Sequence, residues 1–181
     1  MTDGKSRALR VKMIMMDVDG TLTDGAIFVL PDGEEVKSYN VRDGLGILLA
    51  HLAGFKTAII TGKTSRALEK RAAKLRIDEL HQGILDKKPV FEAILAKHSL
   101  KPEEVAYIGD DLGDLAVIRA VGLAGAVADA HPAVKESCHF VSRQPGGRGA
   151  VREFIEFILD AQGKWAEVEE KVKSLSFRNI G

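Results

Sequence analysis

The apolar run Met13-Ile14-Met15-Met16 empties into Asp17-Val18-Asp19-Gly20-Thr21, and no other segment constrains the fold as tightly. A short continuous apolar stretch bounded by a turn signal reads as a buried strand. Alternate side chains of a strand share a face, so Asp17 and Asp19 point roughly the same way at its carboxyl end. Two like charges held close resist joint ionisation unless a cation joins them. The pattern suits a divalent metal, a nucleophilic carboxylate and a second carboxyl that moves protons. A calcium loop is excluded by spacing. That motif wants Gly at its sixth position and Glu at its twelfth, and counting from Asp17 these positions hold Leu22 and Phe28. A plain structural turn is the other reading of the segment taken alone.

The 181 residues fit one domain spanning 1–181, and a hydrophobic content of 45% is enough for a real core. The 26 basic and 26 acidic side chains cancel, so no overall field recruits nucleic acid or a membrane. Cys138 is the single cysteine; it cannot form an internal disulfide and reads as a small buried apolar residue. Thr2 to Arg10 is polar and lacks a signal-peptide core. No apolar stretch is long enough to span a bilayer. The expectation is a soluble cytoplasmic protein.

Val11–Met16, Thr57–Ile60, Val105–Ile108 and Leu123–Ala128 read as core strands, with Phe140-Val141 as a fifth. Ala26–Leu30 and Glu35–Tyr39 flank Pro31-Asp32-Gly33 and read as a β-hairpin. Helical patterns cover Gly44–Ala53, Ser65–Leu75, Pro89–His98, Leu112–Val121 and Gly149–Gln162. Glu167 to Lys173 is mixed in charge and reads as a solvated extension anchored by Trp165. Strands separated by helices imply right-handed crossovers and an α/β fold, a doubly wound, Rossmann-like parallel sheet. A hairpin at about 26–39 protrudes from it, and a C-terminal helix and tail occupy about 149–181.

Ligands of such sheets sit beyond the carboxyl ends of the strands. Chemically useful residues follow each inner strand: Asp17-x-Asp19, then Thr61-Gly62-Lys63, then Gly109-Asp110-Asp111 with Asp114 close behind. Thr61 and the glycine turn before a helix form a phosphate cradle. Lys87 lies just before a helix, where its compact charge can neutralise a phosphoryl group. Singly, these features are a turn, a solvated lysine and helix-capping aspartates. Their joint occurrence in this order points to chemistry. The segment Lys63–Arg76 carries six basic residues and one acid but no aromatic residue for stacking, so it reads as a solvated helix face with one or two bases aimed at an anion, rather than a nucleic-acid surface. No Cys/His spacing supports redox or metal storage.

Asp17-Val18-Asp19-Gly20-Thr21, Thr61-Gly62, Lys87 and Gly109-Asp110-Asp111-x-x-Asp114 together resemble the four-motif signature of the haloacid dehalogenase-type phosphatases. The resemblance implies that Asp17 attacks phosphorus and becomes an aspartyl-phosphate, that Asp19 is the general acid and then the general base, and that Thr61 and Lys87 hold the phosphoryl oxygens. It implies Mg2+ bound by Asp17, the backbone carbonyl of Asp19 and Asp110, with Asp111 or Asp114 supporting the metal. The intervals between the motifs are too short for a cap domain.

Asn40-Val41-Arg42-Asp43-Gly44-x-Gly46, Val127-Ala128-Asp129-Ala130-His131-Pro132 and Gly146-Gly147-Arg148-Gly149-Ala150-Val151-Arg152-Glu153 extend the resemblance to the 3-deoxy-D-manno-octulosonate 8-phosphate phosphatase family. That family is cap-less and tetrameric. The resemblance implies hydrolysis of this phosphorylated acidic sugar in lipopolysaccharide synthesis. It also implies a homotetramer whose hairpins meet centrally and whose neighbouring subunits help close each site. Asn40, Val41, Arg42, Asp43, Gly44, Gly62, Lys63 and Arg71 would bind substrate. Lys63 stands where the family usually has Arg, and Leu48 where a basic residue is common; Arg can hold a carboxylate in a bidentate fork and Lys cannot. A sialic-acid-like nonulosonate 9-phosphate phosphatase is the near alternative, and a non-catalytic oligomerisation module the distant one. Apart from the resemblance, Asn40–Gly44 reads as a helix-entry turn, Gly146–Gly149 as a flexible loop and His131-Pro132 as structural.

Overall fold

The apolar runs become the inner strands of one six-stranded parallel sheet in a computed structural model that describes residues 2–174. β1 (Met13–Met16) lies at the centre, between β4 (Lys56–Ile60) and β6 (Val105–Gly109). β5 (Glu79–His81) pairs outside β4, while β7 (Leu123–Ala126) and β8 (Phe140–Val141) continue beyond β6. Every residue of β1 is buried, which is why its sequence does not alternate. Met16 pairs with Ile59 on one side and Ile108 on the other, so the three central strands end nearly level. Asp17, Thr61 and Asp110 therefore issue from one edge of the sheet.

Helices α1 (Thr2–Ala8), α2 (Val41–Leu52), α7 (Ala150–Ala161) and α8 (Trp165–Ser174) pack with one another in one layer. α4 (Lys87–His98) and α5 (Leu115–Ile118) pack together in another. α3 (Arg66–Leu75) follows β4, and α6 (Pro132–Glu136) follows β7. Phe154 of α7 lies against Gly125, where a Cβ would approach its ring to 2.8 Å. Two short strands, β2 (Phe28–Val29) and β3 (Glu35–Val36), form the antiparallel hairpin and share no hydrogen bond with the main sheet. Its Pro31-Asp32-Gly33 turn is closed by Gly33 N donating to the Leu30 carbonyl at 2.8 Å, with Gly33 at φ +85°. Ile27, Phe28, Val29 and Val36 are exposed on it. No cap domain interrupts the described residues, and no described helix is long and apolar enough to cross a membrane.

The sequence pattern missed α1, whose single buried apolar residue, Ala8, leaves no periodic stripe; the helix docks through Arg7, which donates to the Gly122 carbonyl at 3.0 Å. The sequence leaves a strand or a turn between α3 and Lys87, and the structure shows the strand β5; Glu79 breaks its apolar character. That carboxylate is buried and held by Lys97 at 2.6 Å and His98 at 2.8 Å. The helix expected over Leu112–Val121 is shorter. It begins as a tight 3-10 turn at Leu112–Asp114, because the Asp114 side chain turns back to bind the amides of Asp110 and Asp111. The mixed-charge extension is helical, and its charged side chains are exposed as expected, while Val168 is buried and Lys171 donates to the Leu52 carbonyl at 2.7 Å. Trp165 packs against the core as expected. The rest of the tail lies outside the described residues. Cys138 is only half-buried.

One brace joins two helices beside the carboxyl edge of the sheet. α7 begins after Gly149, which has no side chain to cap it, and Asp43 of α2 takes that role. The Asp43 carboxylate accepts from Gly149 N at 3.1 Å and Arg152 N at 3.0 Å while fully buried. Replacing Asp43 with Ala is expected to destabilise the fold by about 1–3 kcal/mol, since two buried donors lose their acceptor. Asn, which keeps one acceptor oxygen, should recover part of this, as read from urea unfolding midpoints.

Candidate active site

Lys87 is the hub of the acidic edge. It is the first residue of α4, whose N-terminus is capped by Asp86 accepting from Lys88 N at 3.3 Å. Its buried ammonium donates to Asp17 Oδ1 at 2.6 Å and to Asp114 Oδ1 at 2.7 Å. The Tyr107 hydroxyl, inside β6, stands 3.2 Å from Lys87 Nζ and donates to Asp114 Oδ1 at 2.6 Å. The other oxygen of Asp114 accepts from the amides of Asp110 and Asp111 at 3.0 and 3.3 Å. Thr21 donates to Asp110 Oδ1 at 2.9 Å. Gly20, at φ +90°, lets the turn pass directly under Asp110, where any Cβ would collide with that carboxylate.

Asp17, Asp110 and Asp114 each place a carboxylate oxygen within 4.8 Å of the others. Burial, reinforced by the Asp114 charge, pushes Asp17 up to about 6 despite the opposing Lys87. Burial and the Asp17 charge push Asp110 up to about 7. Lys87 is raised by its two carboxylates, against its own burial. Three crowded oxygen donors, two of them reluctant to ionise, are what a hard divalent cation such as Mg2+ satisfies. The donor set therefore fits the metal. Asp17 and Asp110 have oxygens free for it, whereas both oxygens of Asp114 are engaged within the protein. Asp111 is exposed and outside the cluster, where its carboxylate accepts from Leu112 N at 2.7 Å.

Asp19 is half-buried, and Lys37 of the hairpin's return strand donates to its Oδ1. Thr61 is buried at the end of β4, with its amide on the His81 carbonyl at 3.0 Å; Gly62 and Lys63 follow, exposed. Lys63 pairs with Glu35 of the hairpin at 3.7 Å. Asn40 caps α2, accepting from Arg42 N at 2.8 Å, and donates to the Gly147 carbonyl at 3.1 Å. Val41 and Arg42 are exposed on the first turn of α2. The structure does not present Asp43 to a ligand; it is buried as the brace of α7 because that helix start has no cap of its own. Gly44 makes room for Arg71, whose guanidinium lies 5.9 Å from the Tyr39 ring centre. Tyr39, Asn40, Gly44 and Arg71 line a cavity of only about 10 Å³. The Gly146–Gly149 segment is not a free loop: Gly147 N bonds the Thr21 carbonyl at 2.9 Å and Gly146 N bonds Asp129 Oδ1 at 2.9 Å. His131 is structural as expected, capping α6 through Ala133 N at 3.2 Å.

Sequence reasoning missed two residues. Tyr107 was hidden inside the apolar run Val105–Ile108; a polar tip in a central strand is its only signal. Lys37 was lost among hairpin charges, although its spacing of two from Tyr39 places both on one side of the ribbon.

Fold and site together define a phosphoryl-transfer hydrolase of the haloacid dehalogenase-like class, and the profile of the haloacid dehalogenase-like hydrolases matches residues 79–155. The chain is 46% identical over 167 residues to the 3-deoxy-D-manno-octulosonate 8-phosphate phosphatase KdsC of Escherichia coli (strain B / BL21-DE3), covering 92% of this chain and 89% of that one. The crystal structure of the Yersinia pestis 3-deoxy-D-manno-octulosonate 8-phosphate phosphatase superposes with a TM-score of 0.89 at 47% identity, covering 91% of this chain and 89% of that chain. The Moraxella catarrhalis phosphatase of the same name, in complex with magnesium, phosphate and KDO, gives a TM-score of 0.92 at 35% identity, over 95% and 99% of the two chains. This chain belongs to the 3-deoxy-D-manno-octulosonate 8-phosphate phosphatase family.

Asp17 and Asp110 sit above the ordinary carboxylate range, so the metal-free fold holds protons that the unfolded chain releases between about pH 4 and 7. Its stability therefore falls as pH rises through that window. A cation competes with those protons. Mg2+ is expected to raise Tm more at about pH 8 than at about pH 5; equal increments would contradict the assignment of these carboxylates to the metal.

Proposed function

We propose that this chain is a Mg2+-dependent phosphatase that converts 3-deoxy-D-manno-octulosonate 8-phosphate to the free sugar acid and phosphate, in the cytoplasm and on the route to lipopolysaccharide. The observation that carries this reading is the contact of Asp17 with the buried Lys87 ammonium at 2.6 Å, with Asp110 beside it. Relatives bearing that substrate's name, and the magnesium, phosphate and KDO in the Moraxella complex, support the substrate and the metal.

In this reading an Asp17 oxygen attacks phosphorus, the phosphorus–oxygen bond to the sugar breaks, and the departing oxygen takes a proton from the Asp19 carboxyl. The Asp19 carboxylate then removes a proton from water. The water oxygen attacks phosphorus, the bond to Asp17 breaks, and phosphate leaves. Splitting one hydrolysis into two displacements is the advantage of a carboxylate nucleophile. Lys87 and the Thr61 hydroxyl hold the phosphoryl oxygens. Asp17, Asp110 and the Asp19 carbonyl would hold Mg2+, which neutralises charge on the phosphoryl group. Asp114 fixes Lys87 and the Asp110 turn.

With no cap, the rest of the sugar is read by Asn40 to Arg42, Gly62, Lys63 and Arg71, with residues of neighbouring subunits. The apolar side chains exposed on the hairpin, Phe28 and Val29 among them, support a homotetramer built through it. Phe28→Asp is expected to yield a smaller species by light scattering, with unchanged secondary structure.

Phosphate release from 3-deoxy-D-manno-octulosonate 8-phosphate is expected with Mg2+ and not with a chelator. Asp17→Asn should lose about 10⁴-fold or more in kcat. Robust turnover by that variant would remove Asp17 from its role. A higher kcat/KM on a nonulosonate 9-phosphate would reassign the sugar, and no release from any sugar phosphate would leave an assembly module.

A further inference from the structure

The hairpin touches the chemistry through one part-buried contact. Lys37 lies just past β3 on the return strand, and its side chain is only 6% exposed, while Val36 and Ser38 on either side face solvent. Strand alternation turns Lys37 and Tyr39 inward together. Lys37 Nζ donates to Asp19 Oδ1, and among the described residues this is its one ion pair. The second tie between hairpin and catalytic edge, Lys63 with Glu35, is 44% exposed on each side and contributes little. A buried ammonium is tolerated only with a well-placed counter-charge, so the position of Lys37 and that of the Asp19 carboxylate determine one another.

Asp19 needs such a partner. It sits in a turn beyond the end of β1, and Lys37 is the only side chain among the described residues seen to hold its carboxylate. We propose that Lys37 is a positioning residue for proton transfer: it fixes one oxygen of Asp19 so that the other meets the ester oxygen of the substrate. This rests on the phosphatase reading above. The step it serves is the first displacement, in which the Asp17–phosphorus bond forms, the phosphorus–ester oxygen bond breaks and the Asp19 proton passes to the departing alkoxide. Small misplacements of a proton donor cost large factors in rate.

The distinguishing measurement varies the leaving group. A sugar alkoxide needs the proton; a 4-nitrophenolate departs without it. With the full chain and Mg2+, kcat/KM reports the first displacement on both esters. Lys37→Met is expected to lower kcat/KM about 10²-fold on 3-deoxy-D-manno-octulosonate 8-phosphate and by less than about 3-fold on 4-nitrophenyl phosphate. The loss should fall on kcat rather than KM, with partial rescue by Lys37→Arg. Equal losses on the two esters, a rise in KM alone, or no loss would overturn the proposal. If Lys37→Met does not fold, the ratio of the two esters in Lys37→Arg decides the question instead: a ratio unchanged from the parent protein refutes the positioning role. A parent protein inactive on both esters would instead defeat the phosphatase reading itself.

Discussion

The ammonium of Lys87, buried between Asp17 and Asp114 at 2.6 and 2.7 Å, allows three carboxylates to share one end of the sheet. Even with that charge in place, burial and mutual repulsion drive Asp17 to about 6 and Asp110 to about 7. Removing one member of such a buried set leaves the others uncompensated, which is far more disruptive than losing a surface pair. Lys87 can serve as the hub because it is the first residue of a helix anchored elsewhere. Phe91 and Ile94 of α4 are buried in the core, so hydrophobic packing fixes the point from which the lysine reaches inward. The position of the Lys87 charge is thus a consequence of ordinary helix-on-sheet packing.

Backbones at this edge approach one another more closely than side chains permit. Gly20 passes under Asp110, and Gly146 lies against the Gly20 carbonyl so tightly that no Cβ fits at either place. The turn after β1, the turn after β6 and the segment before α7 therefore converge. α7 is in turn held by Asp43 of α2. This explains a residue that looked like a ligand for substrate. Asp43 lies in a motif beside the site, but its carboxylate is consumed in joining two helices whose ends frame it.

Much of this was legible in the residues. The unbroken apolar runs located the central strands because a parallel sheet buries both faces, and the carboxylates at their ends located the site. Elements with little buried apolar area were harder to read: α1, which presents only Ala8 to the core, escaped, and β5, which depends on neutralising Glu79 with Lys97 and His98, could not be told from a turn. Site details set by tertiary reach were also invisible. Nothing local distinguishes Asp111, which caps its own turn, from Asp114, which binds Lys87 and Tyr107. Lys37 is similar. Its role depends on a ribbon whose strands share no hydrogen bond with the sheet it serves.

Burial sorts the three lysines of the edge into different tasks. Lys87 and Lys37 are almost wholly enclosed, 7% and 6% exposed, and each is committed to carboxylates of the protein. Lys63 is 44% exposed and meets Glu35 at 3.7 Å, a pair that solvent weakens and that breaks at little cost. Of the three, Lys63 holds its protein partner most loosely. It offers a single flexible point charge where a guanidinium would offer a planar fork. Such a group favours negative charge at the rim without dictating its orientation. The two buried lysines are instead fixed by carboxylates of the protein itself, Lys87 by Asp17 and Asp114 and Lys37 by Asp19.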